Sequence, residues 1–289
     1  MQNKKKTLLR IFIYLVLTYV PVYILGFVFS DGKGSLTSRI AGFSLMLFPM
    51  IAVIITRLVT KEGFRDAYLG FGKRGSGKYY ILAALYPIAL PFVSAVILHL
   101  FIVKNGSISE SYFANDSTMA AANVFISITT GIAIFVNGVG EELGWRAYLT
   151  PKLEEFMPTP LAVVVTGSIW ALWHGPLLAY GYDFGRDYDF FPYGGFIAMI
   201  VMCIFWSAIL TWLTKRTNSV YPAALCHILI DTVLTSVLSS FLVKADETPF
   251  ELKTNQFWMM IISVFPMIIV CGSICMVLAC RKKKETAVK

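Results

Sequence analysis

The chain has 289 residues, 57% of them hydrophobic and only 15% charged, with a mean hydropathy of +0.68 and a formal net charge of +8. A soluble domain carries roughly 25% charged residues, so this composition excludes an ordinary soluble enzyme and predicts an all-α, polytopic transmembrane helix bundle. The positive charge flanks apolar segments and forms no patch interleaved with aromatics, which excludes nucleic acid as a partner.

Eight runs approach the length of about 20 apolar residues that a crossing helix needs: 8–29, 40–58, 79–103, 120–139, 161–180, 194–213, 220–242 and 257–280. They leave no length for a separate soluble domain, so residues 1–289 are expected to form a single membrane-embedded domain. The first run has a Lys-rich start but no small-x-small cleavage site, and reads as a retained helix. With the N-terminus in the cytosol, eight crossings return the C-terminus to the same side. Nineteen of the 25 basic residues then lie in cytosolic segments, and only Lys33, Arg39, Lys104, Arg186, Lys244 and Lys253 lie opposite. The positive-inside rule thus predicts an N-in/C-in chain.

Two connecting segments invite a functional reading and decline it. Loop 61–78 carries G-F-G-K-R-G-S-G-K, which lacks the G-K-[ST] ending of a phosphate loop and follows no strand, so a basic cytosolic turn is expected. Loop 181–194 holds Asp183, Asp187 and Asp189 among aromatics, but the spacing fails the calcium-loop template. It reads as a solvated outer loop with interfacial aromatic anchors. The five cysteines fall in the apolar runs without a C-x-x-C pair and read as small apolar residues. Cys280, beside the basic run 281–284, also fits a weak acylation pattern.

The chemistry concentrates in G-E-E-L-G-W-R, residues 140–146, inside an otherwise apolar stretch. Ionisable groups within a membrane segment are costly and mark a functional site by default. Adjacent helical residues point about 100° apart, so Glu141 and Glu142 serve different ends. Glu142 and Arg146 are spaced i,i+4 and suit an ion pair, which makes Glu142 structural and leaves Glu141 as the freer base.

The fourth span is expected to continue as a helix to about Phe156, with Pro158 and Pro160 breaking the chain before the fifth. Glu141 and His174 then lie about sixteen residues to either side of the turn, at matching depths of roughly 25 Å from the hairpin tip. His227 lies about 15 Å from its own turn near Thr217. A more protruding fourth–fifth hairpin brings all three to one level in the cytosolic half of the bilayer. Trp170 precedes His174 by one turn and can orient its ring, and Gly175-Pro176 can end or kink the helix there. His227 and Asp231 form a second i,i+4 pair, in which the acid orients the imidazole or shares a ligand with it. His99 has no such company and reads as structural.

Two hydrolytic mechanisms remain open on these residues. Glu141 and His174 activate a water while His227 and Asp231 position the scissile carbonyl or stabilise its oxyanion. Alternatively, His174, His227 and Asp231 are ligands of a divalent metal such as zinc, although H-E-x-x-H is absent.

The ordered set E-E-x-x-x-R (Glu141, Glu142, Arg146), W-x-x-x-H (Trp170, His174) and H-x-x-x-D (His227, Asp231) resembles the CPBP family. That family comprises the type II CAAX prenyl endopeptidases and bacterial proteins linked to bacteriocin processing and immunity. The resemblance covers about 120–242, which is expected to be the catalytic helix core. It implies an eight-helix intramembrane endopeptidase opening toward the cytosol, with Glu141 as the water-activating residue and a peptide or membrane protein as substrate. The family is commonly labelled metalloprotease, and a metal-free glutamate mechanism is also argued for it. Prenyl-processing members carry Asn at the last motif position, where this chain has Asp231, so an amide donor to the oxyanion is not available there.

A non-proteolytic scaffold or bacteriocin-immunity protein, binding a peptide or sensor partner, is the competing expectation. A proton-relay transporter is a third, weakened by the lack of repeats or paired broken helices. A compact N-in chain without a targeting leader is expected in a bacterial plasma membrane.

Overall fold

Three helices meet behind the E-E-x-x-x-R segment, and glycines let them do so. The architecture comes from a computed structural model, which describes residues 2–29, 44–102, 117–241 and 256–280. In chain order the helices are α1 (Gln2–Phe29), α2 (Phe48–Val59), α3 (Gly77–Ile102), α4 (Ser117–Ala133) and α5 (Phe135–Gly144). A π-helical turn, Trp145–Leu149, leads into α6 (Thr150–Glu154). Then come α7 (Thr159–Trp173), α8 (Gly175–Leu178), α9 (Tyr193–Thr217), α10 (Tyr221–Phe241), α11 (Gln256–Ser263) and α12 (Phe265–Cys280). The described residues contain no strand, and the protein is an all-α bundle of apolar helices.

Among the described residues, two helices are long and apolar enough to cross a bilayer alone: Lys4–Gly26 within α1, with mean hydropathy 2.1, and Tyr193–Thr217, with 2.3. Segments 124–133 and 135–154 pass the same test together but are bent by 59° at Ile134. The run expected as the fourth span is thus bent at Ile134, and its helical structure continues past Arg146 to Glu154, close to the expected Phe156. Ile134 leaves the helical region there, at φ −100° and ψ 19°. Phe48–Val59, Thr159–Trp173, Tyr221–Leu234 and Phe265–Cys280 are shorter apolar helices. Lys33, Arg39, Lys104, Lys244, Lys253 and the run 281–289, which carry part of the orientation argument, lie outside the described residues, as does the His99 side chain.

Prolines and one left-handed residue set the helix boundaries. Pro49 and Pro160 occupy the first turns of α2 and α7, where no intrahelical N–H partner is lost. Asn218 closes α9 at φ 59°, returning its N–H to the Thr214 carbonyl.

Helix α10 is central, packing on α3, α4, α5 and α9, while α9 also supports α7 and α12. Small residues let these backbones approach closely, as membrane helix pairs require. A Cβ on Gly138 would stand 2.8 Å from the Ala224 carbonyl oxygen of α10, and one on Gly144 would stand 2.5 Å from Pro49 Cβ of α2. The polar residues of α5 are thereby drawn into the interior instead of facing lipid.

The end of the bundle expected to face the cytosol is tied by charge. Lys152 pairs with Glu62 and with Glu155 (3.1 Å), and Glu62 also accepts from Tyr148 at 3.1 Å. Buried Arg57 reaches Asp66 Oδ1 at 2.6 Å. Burial alone would raise the Asp66 carboxyl, but the hydrogen bond and charge of Arg57 outweigh it and hold it below the usual carboxylate range.

Candidate active site

Glu141, Glu142 and Arg146 lie on the continuous helix formed by α5 and the π-helical turn. All three are buried, with at most 2% of each residue exposed. The i,i+4 ion pair expected from their spacing forms, with Arg146 Nη1 2.7 Å from Glu142 Oε1. Arg146 Nη2 donates to Ser207 of α9 at 3.1 Å, and the guanidinium lies 4.1 Å from the centre of the Trp170 ring. The π turn begins at Trp145, inside this segment, and carries Arg146; such local widening recurs at functional sites.

Glu141 is held differently. Two indole N–H groups donate to its Oε2: Trp170 at 2.7 Å from α7 and Trp145 at 3.1 Å from its own helix. Its Oε1 has no protein partner among the described residues. A buried carboxylate with one oxygen clamped and the other open can accept a proton from a water placed against it.

His174 occupies the point where α7 ends, at φ −73° and ψ 0°, before Gly175-Pro176 opens the short α8. The break expected from that dipeptide is present. Its Nδ1 lies 3.0 Å from the Trp170 carbonyl oxygen. A carbonyl only accepts, so Nδ1 bears the proton and Nε2 of the neutral ring offers a lone pair. The ring is caged by Trp170 (5.7 Å between centroids), Trp173 (4.9 Å) and Tyr182 (5.7 Å, stacked at 9°). Glu141 and His174 thus share Trp170, which binds one through its indole and the other through its backbone.

His227 of α10 approaches the same cluster. Its Nδ1 lies 2.8 Å from Glu142 Oε1 and its Nε2 3.4 Å from Asp231 Oδ2. The Asp231 side chain is 26% exposed and the imidazole only 4%, so the acid stands toward the open side. Trp170 completes the arrangement, its ring 5.1 Å from that of His227. The seven residues singled out by sequence therefore form one connected network.

Several participants escaped sequence reasoning. Glu142 serves His227 as well as Arg146, a contact between residues 85 positions apart that no local spacing announces. Trp145 bonds Glu141, and its i,i+4 position was an available signal. Tyr182 stands in the loop expected to be solvated, and its neighbour Phe184 is buried in the main apolar core. Tyr182 and Phe184 thus pack part of this loop inward, while Phe190 and Tyr193 stay exposed as expected of anchors.

Among the described residues no three His, Cys, Asp or Glu side chains are grouped as a metal site. His174 bonds a backbone carbonyl through Nδ1, and His227 bonds Glu142 through Nδ1 and turns Nε2 toward Asp231; imidazoles that hold a metal are oriented in the same way.

Residues 123–233, which contain every one of these side chains, match the family model described as type II CAAX prenyl endopeptidase Rce1-like. Over that segment the chain is similar to this CAAX protease family. A protein named CAAX prenyl protease 2 from Methanococcus maripaludis is similar to it, with 26% identity over 231 residues that span 76% of this chain and 82% of the relative. These similarities support a protease, a hydrolase that acts on a peptide substrate in a membrane environment.

Proposed function

We propose that this protein is an intramembrane CAAX-type endopeptidase that hydrolyses a peptide bond near the cytosolic membrane face without a metal. The observation that carries the reading is the clamped Glu141, its Oε2 held by two indoles and its Oε1 open, in the same cluster as His174. A water bound between Glu141 Oε1 and His174 Nε2 loses a proton to the carboxylate as its oxygen attacks the scissile carbonyl carbon. Water exclusion by the surrounding tryptophans strengthens each of these electrostatic contacts. His227, fixed through Nδ1 by Glu142, turns its Nε2–H from Asp231 to the oxyanion. Collapse of the tetrahedral intermediate breaks the C–N bond, and Glu141 returns its proton to the leaving amine.

The similar relative named for a CAAX prenyl substrate supports a prenylated C-terminal peptide as the substrate class. The eight-span, N-in/C-in arrangement and a bacterial plasma membrane belong to the same proposal, supported by the distribution of basic residues.

The test compares peptide termini by mass spectrometry in membranes expressing wild type or Glu141→Gln at equal levels. The purified protein is assayed in parallel on a prenylated and an unprenylated CAAX peptide, with and without a chelator. New termini that require Glu141, and chelator-resistant cleavage of the prenylated peptide, are expected. Identical termini together with inert purified protein would instead favour the scaffold or immunity role. Chelator-sensitive cleavage would overturn the metal-free mechanism alone.

A further inference from the structure

The glycine-rich basic segment that fails as a nucleotide phosphate loop is nevertheless folded around a cavity. It meets the carboxyl ends of α9 and α12 at a cleft of about 470 Å³. The lining carries Lys73, Arg74, Lys78, Lys215 and Arg216 and no acidic side chain. Among the described residues only Lys215 of these five enters an ion pair, with Glu154 at 2.5 Å. Four cations are thus brought together with no carboxylate opposing them, and each raises the cost of the others until an anion enters.

The segment is held in place by its backbone. Lys73 N–H donates to the Thr217 carbonyl at 3.1 Å, and Ser76 N–H to the Lys73 carbonyl at 3.0 Å. Gly72 adopts φ +102°, and a Cβ there would stand 2.9 Å from Ser76 Oγ and 3.1 Å from the Thr217 carbonyl oxygen. The 26-residue α3 starts at Gly77, so its unpaired N–H groups and positive dipole end adjoin buried Ser76 on the cleft wall.

The opposite wall is apolar, formed by Leu278 and Ala279 of α12. Arg216 Nη2 donates to the Leu278 carbonyl at 3.1 Å, which fixes a cation at the border between the two walls. A cationic face beside an apolar helix at the end of a membrane bundle matches the two parts of a phospholipid, the phosphate and the acyl chain. The cleft is also separate from the candidate active site. Lys215 lies eight residues beyond Ser207 on α9, about 12 Å along the helix axis.

We propose that this cleft is a phosphate-anion site, filled by the headgroup phosphate of an anionic phospholipid standing against α12 or by a free phosphate. The proposal does not depend on the peptidase mechanism.

Purified full-length protein is titrated in detergent with phosphatidylglycerol, phosphatidylcholine and inorganic phosphate. Thermal unfolding and native mass spectrometry report binding. Wild type is compared with Lys73→Gln/Arg74→Gln/Arg216→Gln and with a charge-matched control, Lys5→Gln/Lys6→Gln/Arg65→Gln, whose residues are exposed and outside the cleft. Phosphatidylglycerol is expected to stabilise wild type and the control, and to bind the cleft variant about a hundredfold more weakly, the loss for three cationic contacts. Stabilisation by inorganic phosphate equal to that by the lipid assigns the site to free phosphate, and a clear excess for the lipid assigns it to a headgroup. Equal weakening of both triple variants, or no anion distinguishing wild type from the cleft variant, overturns the proposal. Unfolding in phosphatidylcholine alone shows that each variant is folded. Should the triple variant not fold, Arg74→Gln, altering one exposed side chain, is read in the same way.

Discussion

Trp170 donates its indole N–H to Glu141 Oε2 at 2.7 Å, joining two helices across 29 positions of sequence. The same residue offers its carbonyl oxygen to His174 Nδ1. One residue, through its side chain and its backbone, therefore links the two groups proposed to activate water. Trp170→Phe keeps an aromatic body but removes the donor, and a hydrogen bond to a charged group contributes about 1.5–3 kcal/mol. Turnover is expected to fall about tenfold to a hundredfold, with less loss for Trp145→Phe, whose bond is longer at 3.1 Å. Steady-state kinetics beside thermal unfolding separates the two effects. Unchanged kcat in Trp170→Phe would remove the indole clamp from the mechanism.

Glu142 carries more of the structure than its neighbour. Its Oε1 accepts from Arg146 and faces His227, so its loss leaves two buried partners without their carboxylate. Breaking a buried ion pair from one side costs about 3–5 kcal/mol. Glu142→Gln is therefore expected to lower the unfolding temperature strongly and to abolish activity with it. Glu155→Gln provides the contrast. That side chain is 44% exposed, and Lys152 retains Glu62. Exposed pairs contribute about 0–1 kcal/mol. Equal unfolding temperatures for the two variants would contradict the assignment of Glu142 as the keystone.

The reach of sequence reasoning follows from which contacts are local. The Glu142–Arg146 pair is written in an i,i+4 spacing on one helix, and it forms. The matching depth of Glu141 and His174 follows from equal distance to one turn, and both side chains meet at Trp170. The contact of His227 with Glu142 joins α10 to α5 and depends on how closely those helices pack, which Gly138 decides through its contact with Ala224. No spacing motif encodes that approach. Loop 181–194 misled for a related reason: its aromatics suit an interface or a core equally, and only packing distinguishes Phe184 in the core from exposed Phe190. The bend at Ile134 had no proline to announce it.

The contact hierarchy around His227 also bears on the Asp231 position. His227 Nδ1 is fixed by Glu142 at 2.8 Å, whereas Asp231 meets Nε2 at 3.4 Å from a partly exposed position. The ring is therefore oriented without Asp231. An amide there keeps an oxygen facing Nε2 and adds a donor for an oxyanion. Asp231→Asn is expected to remain folded and to retain activity within about tenfold of wild type, while His227→Ala loses about a hundredfold or more. Peptide cleavage by the two purified variants checks the order. Inactivation by Asp231→Asn as complete as that by His227→Ala would show that the acid itself is required.

The crossing of α7 and α9 offers a test of the scaffold apart from any titratable group. A Cβ on Gly167 would stand 2.6 Å from Ile204 Cα and 2.8 Å from the Cys203 carbonyl oxygen. Both obstacles are backbone and cannot rotate away, so the helices must separate to admit a methyl group. Overpacking of this kind costs about 1–3 kcal/mol, which meets or exceeds the gain of about 1 kcal/mol in helix propensity from glycine to alanine. Gly167→Ala is expected to lower the unfolding temperature. Because Trp170 and His174 ride on α7, it is also expected to reduce turnover in the protein that remains folded. Gly70→Ala, where a Cβ meets nothing within 4 Å, should leave both quantities at the wild-type level. Wild-type stability in Gly167→Ala would mean that α7 stands further from α9, and the Trp170 bridge to Glu141 would then have to be drawn differently.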